Sequence, residues 1–274
     1  VDPRLQRRVQ RYGWDKAATH YERYWSRQLE PAQNLMLRMA DLRPGERVLD
    51  VACGTGLVTF RAVDAVGSTG AVVATDLSEV MVTSLRDATT RRGLANVTAE
   101  RMDAEDLRLP DAGFDAALCA LGLMYVPDPR KSIEEMLRVV RPGGRVAVVV
   151  WGARNQCGWA EIFPIVDRRV QSEVCPLFFQ LGTGNTLRLT MEQAGCSAVE
   201  TERLCITLRY DSADDAVGAA FAGGPVALAY SRFTELVREE AHGEYLDSIE
   251  PFRQPDGGYD IPGAFVAAVG RRPA

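Results

Sequence analysis

The tightest constraint in the sequence is a glycine turn set between a strand and a helix. Arg47-Val48-Leu49-Asp50-Val51-Ala52 reads as a strand that Gly54 ends, and residues 57–66 carry Val58, Ala62, Val63 and Val66 at helical spacing. Glycines at 54 and 56 let the chain turn tightly and let another group approach the backbone. The unit then repeats. Ala71 to Thr75 is a second strand ending at Asp76, and Ser78 caps a helix with Met81, Val82 and Leu85 on its inner face. Val97 to Met102 and Phe114 to Ala120 are the third and fourth strands. Pro129 to Val140 is a helix that Arg141-Pro142-Gly143-Gly144 stops. Arg145 to Trp151 is a fifth strand, apolar on both faces as a central parallel strand must be.

Strand–helix–strand repetition imposes right-handed crossovers, so the expected class is α/β with a doubly wound, mostly parallel sheet. Such sheets bind ligands at the carboxyl ends of their strands, near the switch point. That rule places Asp50 to Gly56, Asp76, Asp103 and the stretch after Ala120 along one edge. Two regions lie outside the repeat. Residues 1–40 are helical and aromatic, and residues 211–261 separate an extended segment at 199–209 from a last strand at Ala264 to Val269. The expected division is an N-terminal helical cap segment at 1–40, a core at 41–210 and 262–274, and a helical insertion at 211–261 forming part of a cap over the site.

Composition narrows the partners. Lys and Arg total 32 against 37 Asp and Glu, a net charge of −5, which gives no global attraction to phosphate backbones. No apolar run reaches the roughly 18 residues a membrane helix needs. The opening Val1-Asp2-Pro3-Arg4 lacks the basic-then-apolar pattern of a signal peptide. Six cysteines without a CxxC pair, and only two histidines, argue against a disulfide framework and a zinc site. The expectation is a cytoplasmic chain with reduced, mostly core cysteines, no metal, a small-molecule substrate, and neither nucleic acid nor membrane as partner. A homodimer is left open.

Two adenosine-containing cofactors use a glycine turn of this kind. A dinucleotide wants G-x-G-x-x-G/A, and Thr59 stands where the third small residue belongs. Asp50 beside the loop would repel a pyrophosphate but suits the cationic amino end of S-adenosylmethionine. Asp76 suits the ribose hydroxyls of either. With these residues the chain resembles the class I S-adenosylmethionine-dependent methyltransferases, in particular the small-molecule branch related to ubiquinone and menaquinone biosynthesis. Four segments carry the resemblance in order: Val48 to Gly56; Ala74-Thr75-Asp76-Leu77-Ser78; Asp103 to Leu107 with Leu109-Pro110 and Phe114-Asp115; and Leu137 to Gly144.

The resemblance implies a Rossmann-like methyltransferase fold with seven strands and S-adenosylmethionine as cofactor, S-adenosylhomocysteine as product. It implies that the backbone at Ala52, Gly54 and Gly56 lies along the methionine and ribose. Asp76 would pair with the ribose, Leu77 and Met81 line the adenine, and Asp103 with the Ala104 N–H meet its edge. Ala120-Leu121-Gly122 would close over the methionine end, and Trp25 joins this cofactor set. A methyl acceptor, on oxygen, carbon or nitrogen, would sit under the cap. Its expected walls are Tyr21, Leu123, Met124, Trp151, Phe163, Phe179, Phe221 and Tyr230, with Trp159 and Phe178 beside them, a set suited to an apolar or aromatic metabolite. His20, Tyr21 and Tyr125 are the candidate catalytic groups. The alternatives are an NAD-dependent oxidoreductase and a catalytically silent module that binds the cofactor.

Overall fold

Asp2 accepts a hydrogen bond from the Arg4 N–H at 2.9 Å and Pro3 takes the first helical position, so a long helix α1 (Pro3–Ala40) starts at once. The computed structural model describes residues 2–170 and 177–274 of the chain. After α1 come β1 (Arg47–Val51), α2 (Leu57–Val66), β2 (Ala71–Asp76), α3 (Glu79–Arg91), β3 (Val97–Arg101), β4 (Phe114–Ala120), α4 (Pro129–Val139) and β5 (Val140–Trp151). Then follow α5 (Ile162–Asp167), α6 (Thr186–Gln193), β6 (Ser197–Tyr210), α7 (Ala213–Val217), α8 (Ala227–Tyr230), α9 (Glu235–Ile249) and β7 (Tyr259–Arg271).

The sheet has seven strands in the order β3-β2-β1-β4-β5-β7-β6, parallel except for β7, which runs antiparallel to both neighbours. This is the α/β, doubly wound class that the strand–helix alternation demands. Its core is the apolar run Val146 to Val150 at the centre of the sheet, with no exposed surface. The switch point lies between β1 and β4, where the order turns from descending to ascending.

Two boundaries differ from the sequence reading. The helix α4 does end before Arg141, but the chain enters β5 directly, and residues 141–144 form a bulge: pairing with β4 jumps from Phe114↔Val140 to Ala116↔Arg145. Gly144 fits there because a Cβ would stand 2.7 Å from the Asp115 carbonyl oxygen. The strands β6 and β7 are also longer than the apolar segments suggest. They pair from Ser197↔Arg271 to Tyr210↔Tyr259, and the polar Glu200, Thr201, Glu202 and Arg203 hide β6 because an edge strand exposes much of its surface.

Helix α1 packs on β5, β7 and the segment between β6 and β7. A π-helical turn at Gly218–Ala222 receives the Tyr24 ring; a Cβ at Gly218 would lie 2.3 Å from it, so glycine is required. Among the described residues no helix is long and apolar enough to cross a membrane, and no group of three or more His, Cys, Asp or Glu residues is placed to hold a metal ion. Cys53, Cys119, Cys157 and Cys196 are buried free thiols and Cys205 is exposed; Cys175 lies outside the described residues.

Candidate functional site

At the end of β1 the backbone turns through left-handed conformations at Ala52 (φ 56°), Gly54 (φ 55°) and Gly56 (φ 101°). A non-glycine residue there is uncommon and costs local strain. Across the switch point Leu121 is also left-handed, at φ 60°, and its N–H donates to the Val149 carbonyl at 2.8 Å. Gly122 faces Ala52 so closely that a Cβ on it would lie 2.3 Å from the Ala52 methyl. The two strands therefore part around small residues and leave a cleft.

Asp76 organises one side of this cleft. Its two carboxylate oxygens accept from the Gly54 N–H and the Ser78 N–H, each at 2.9 Å. One carboxylate thus pins the glycine loop to the end of β2 and starts α3, whose cap Ser78 accepts from the Met81 N–H at 3.1 Å. Burial raises the Asp76 pKa, opposed by these N–H groups. A carboxylate has about four acceptor positions, so the two backbone bonds leave capacity for a ligand.

A cavity of about 760 Å³, counting its mouth, fills the cleft. Ala52, Gly54, Asp76, Leu77, Met81, Asp103, Ala104 and Ala120 line it, and α1 roofs it with Arg7, Gln10, Trp14 and Tyr21. Arg7 Nε lies 2.6 Å from Asp103 Oδ2, and its guanidinium also pairs with the buried Glu105. Asp15 of α1 accepts from the Ser78 hydroxyl at 2.5 Å. The roof is thus fastened to β2 and β3 by charged groups.

A second, smaller cavity of about 320 Å³, again counting its mouth, adjoins it and shares Trp14, Tyr21, Leu121 and Tyr125 with it. Its further walls are Trp25, Leu29, Trp151, Trp159, Phe178 and the Gly224-Pro225 turn. The rings meet edge to face: Trp25 to Trp151 at 5.9 Å, Trp25 to Trp159 at 6.0 Å, Trp151 to Trp159 at 4.7 Å. Apart from its two tyrosines, this slot carries no titratable side chain.

Several sequence expectations need correction. Gly56 does not reach the first cavity: it packs on Leu85 and Phe60, where a Cβ would stand 2.4 Å and 2.9 Å away, so it serves helix–sheet packing. Asp50 does not line it either. It is 1% exposed and accepts from the Thr59 hydroxyl at 2.6 Å; burial pushes its pKa up to about 7. The threonine that looked awkward as a cofactor-loop residue is the partner of this buried carboxyl. Asp103 does line the cavity, but already paired with Arg7, a partner the sequence did not reveal. Trp25 lies in the aromatic slot and not in the first cavity.

On the acceptor side Tyr21, Trp151, Trp159 and Phe178 of the expected walls line the slot. Leu123 and Met124 are buried in a 3₁₀ turn after β4. Phe163 and Phe179 back the slot by packing on Trp159 and Phe178. Phe221 and Tyr230 form a separate cluster with His242, where the Tyr230 hydroxyl and His242 Nε2 are 3.0 Å apart. Of the catalytic candidates, Tyr21 and Tyr125 line both cavities, while His20 is exposed and lines neither. Sequence reasoning missed Arg7, Gln10 and the role of Thr59. A helix capped by Asp2-Pro3 is legible; which of its polar residues fold over a distant strand end is not.

A methyltransferase domain family matches residues 48–144, the glycine turn through the β5 bulge. A demethylmenaquinone methyltransferase from Geobacillus sp. (strain WCH70) is 32% identical over 173 residues, 61% of this chain and 72% of the relative. A ubiquinone/menaquinone biosynthesis C-methyltransferase from Ectopseudomonas mendocina (strain ymp) is 41% identical over 114 residues, 41% of this chain; the chain spans about 44% of that relative's length. The crystal structure of a candidate methyltransferase from Bacillus halodurans C-125 superposes with TM-score 0.62, at 21% identity, over 89% of this chain and all of the other.

Proposed function

We propose that this chain, which belongs to the class I S-adenosylmethionine-dependent methyltransferases, methylates a small, largely apolar or aromatic metabolite. The observation that carries the reading is the junction of two unlike cavities, a polar one organised by Asp76 and an aromatic slot, sharing Tyr21, Trp14, Leu121 and Tyr125. The residues of the first cavity fit S-adenosylmethionine. Asp76 retains acceptor capacity for two ribose hydroxyls, and Leu77 and Met81 give apolar flanks for a purine. The bound cofactor would supply an electrophilic methyl group on a sulfonium.

The chain's own residues position, exclude water and leave the acceptor reactive. The Gly54 N–H, tied to Asp76, fixes the loop; Ala52 and Gly122 set the width of the cleft; α1 covers it from solvent. Exclusion of water and alignment of the partners lower the barrier without a protein base. The slot itself supports this: its tyrosine Tyr21 is pushed above the ordinary phenol range by burial, then by the nearby Asp76, Glu22 and Asp50 charges, and so stays protonated near neutrality. An NAD-dependent reading meets Thr59 where the dinucleotide turn wants a third small residue, its hydroxyl donating to the buried Asp50.

Calorimetry with S-adenosylhomocysteine and with NADH tests the cofactor; tight binding of NADH alone would overturn the reading. Turnover of a labelled methyl donor against a metabolite panel tests transfer. Binding without turnover across an apolar and aromatic panel would leave a silent module.

A further inference from the structure

The aromatic slot holds a feature that its apolar character does not require. Trp25 is 6% exposed and Trp159 is 3% exposed, both line the slot, and among the described residues neither indole N–H has a hydrogen-bond partner. Buried polar groups are satisfied in nearly all cases, because an unpaired donor loses its water without replacement. Two such donors on rings 6.0 Å apart, in the wall of one cavity, are a concentration of unmet donors. The space beside one of them is set by glycines: a Cβ on Gly223 would stand 3.3 Å from Trp25 Nε1, and one on Gly224, itself a slot residue, 3.9 Å from it.

An indole nitrogen donates and cannot accept. A ligand that satisfies both must therefore bring an acceptor. Seven aromatic side chains alone would also suit a cation held over ring faces. Against a cation stand the two unpaired N–H donors and the lack of any carboxylate in the slot; Asp76 and Asp103 line the other cavity. A cationic guest would bury its charge unpaired, at high cost. An uncharged planar ring bearing an oxygen avoids that cost and meets the donors.

We propose that the Trp25 and Trp159 indole N–H groups are the specificity determinants of the acceptor slot, and that they select a planar apolar ring carrying a carbonyl or phenolic oxygen over an amine. The inference rests on the slot being the acceptor site. It names positioning and recognition residues, with the oxygen held between the two indoles while the ring packs against Trp151 and Phe178.

Three probes of similar shape separate the terms: 1-naphthol, which offers an oxygen acceptor; naphthalene, which offers none; and 1-naphthylmethylammonium, which only donates. Each is titrated calorimetrically into the full chain saturated with S-adenosylhomocysteine. The naphthol should bind at least about tenfold more tightly than naphthalene, as one or two neutral hydrogen bonds allow, and the ammonium should bind most weakly. Trp25→Phe and Trp159→Phe each keep an aromatic ring and remove the N–H, so each should shrink the naphthol-to-naphthalene ratio while S-adenosylhomocysteine affinity stays unchanged. The chain has four tryptophans. In a ¹⁵N-indole spectrum, assigned by the same variants, two of their N–H signals should move downfield with naphthol and not with naphthalene. Uniform replacement of tryptophan by benzothienylalanine, which has the shape and lacks the N–H, gives the same comparison should a phenylalanine variant not fold.

Tighter binding of the ammonium would overturn the proposal in favour of a cation cage. An unchanged ratio in both variants, or the absence of naphthol binding, would overturn it as well. Loss of S-adenosylhomocysteine binding by the unmodified chain is a different result: it sinks the cofactor reading, and the probe ratios are then read on the chain alone.

Discussion

The two cavities meet along Tyr21 and Tyr125 yet are built on opposite plans. The first is made of backbone: its shape comes from left-handed turns at Ala52, Gly54 and Leu121 and from one carboxylate accepting two N–H groups. The second is made of side chains from α1, the β4 and β5 ends, the stretch before and after α5, and the Gly224-Pro225 turn. A ligand that must meet fixed hydrogen bonds is held by what the strand ends dictate. A ligand that must be enclosed is held by whatever rings pack over those ends. The first plan concentrates charge and the second excludes it, so pH, charge removal and ring truncation should act on the two halves differently.

The largest expected effect comes from Asp50, beneath the first cavity. Its pKa is raised from 3.8 to about 7, chiefly by burial, so between those values the folded chain holds a proton that the unfolded chain has released. Stability should therefore fall as pH rises through that window and level off above it. The shift corresponds to about 4 kcal/mol at and above pH 7. Asp50→Asn keeps an acceptor for the Thr59 hydroxyl and removes the charge. Denaturant unfolding should find it more stable than the parent near neutrality, with the advantage gone near pH 4. Substitutions in the slot should leave the shape of the parent's pH profile intact. Parallel profiles for Asp50→Asn and the parent would erase the electrostatic contrast between the halves.

Next in size is Asp76→Ala. It removes the acceptor for the Gly54 and Ser78 N–H groups together with the ribose partner, so S-adenosylhomocysteine affinity should drop by about 3 kcal/mol, more than a hundredfold. Because the loop is tied to this carboxylate, unfolding should also begin at lower denaturant. Calorimetry and denaturation on the same sample separate the two. Unchanged affinity in a folded variant would make Asp76 a turn residue only.

This difference in construction also explains what could be read from the amino-acid order. Strands β1 to β5 and the contacts of Asp76 are local: the turn from β1, the acid at the end of β2 and the cap at Ser78 lie within 29 residues, Asp50 to Ser78, and their spacing fixes them in space. Gly56 was legible as a glycine that needs its φ of 101° but not as a packing residue, because its neighbours Leu85 and Phe60 come from α3 and α2. The slot was legible only as a supply of rings. Phe221 and Tyr230 offer the same chemistry as Trp159 and Phe178, and only the path of the insertion sends the former pair to His242 and the latter to the cavity. Arg7 was illegible for the same reason: its partners Asp103 and Glu105 are about a hundred residues away along the chain, so no local period marks it.

Gly56→Ala tests whether the cofactor half rests on packing as well as on hydrogen bonds. A Cβ there meets Leu85 at 2.4 Å with φ at 101°, so the variant should lose about 2 kcal/mol of stability. Because Gly56 is not a cavity residue, the folded fraction should still bind S-adenosylhomocysteine with parental affinity. A selective loss of affinity at unchanged stability would return Gly56 to the cavity wall.

The smallest effects are expected where the two halves share a residue. Tyr21 lines both cavities, and its hydroxyl is held protonated by burial and by the charges of Asp76, Glu22 and Asp50. A group in that state can donate a hydrogen bond but does not accept a proton at neutral pH. Tyr21→Phe should therefore lower kcat/KM by less than about tenfold, or about 1.4 kcal/mol, with any acceptor that the metabolite panel identifies. Its pH–rate profile should keep the parental shape, since no limb of that profile belongs to Tyr21. His20→Ala, on the exposed face of α1, should leave the rate unchanged. A loss of a thousandfold or more in Tyr21→Phe, together with a vanished limb of the pH profile, would mean that the shared residue carries a proton during transfer. The chemistry would then lie in the wall between the cavities and no longer in their alignment.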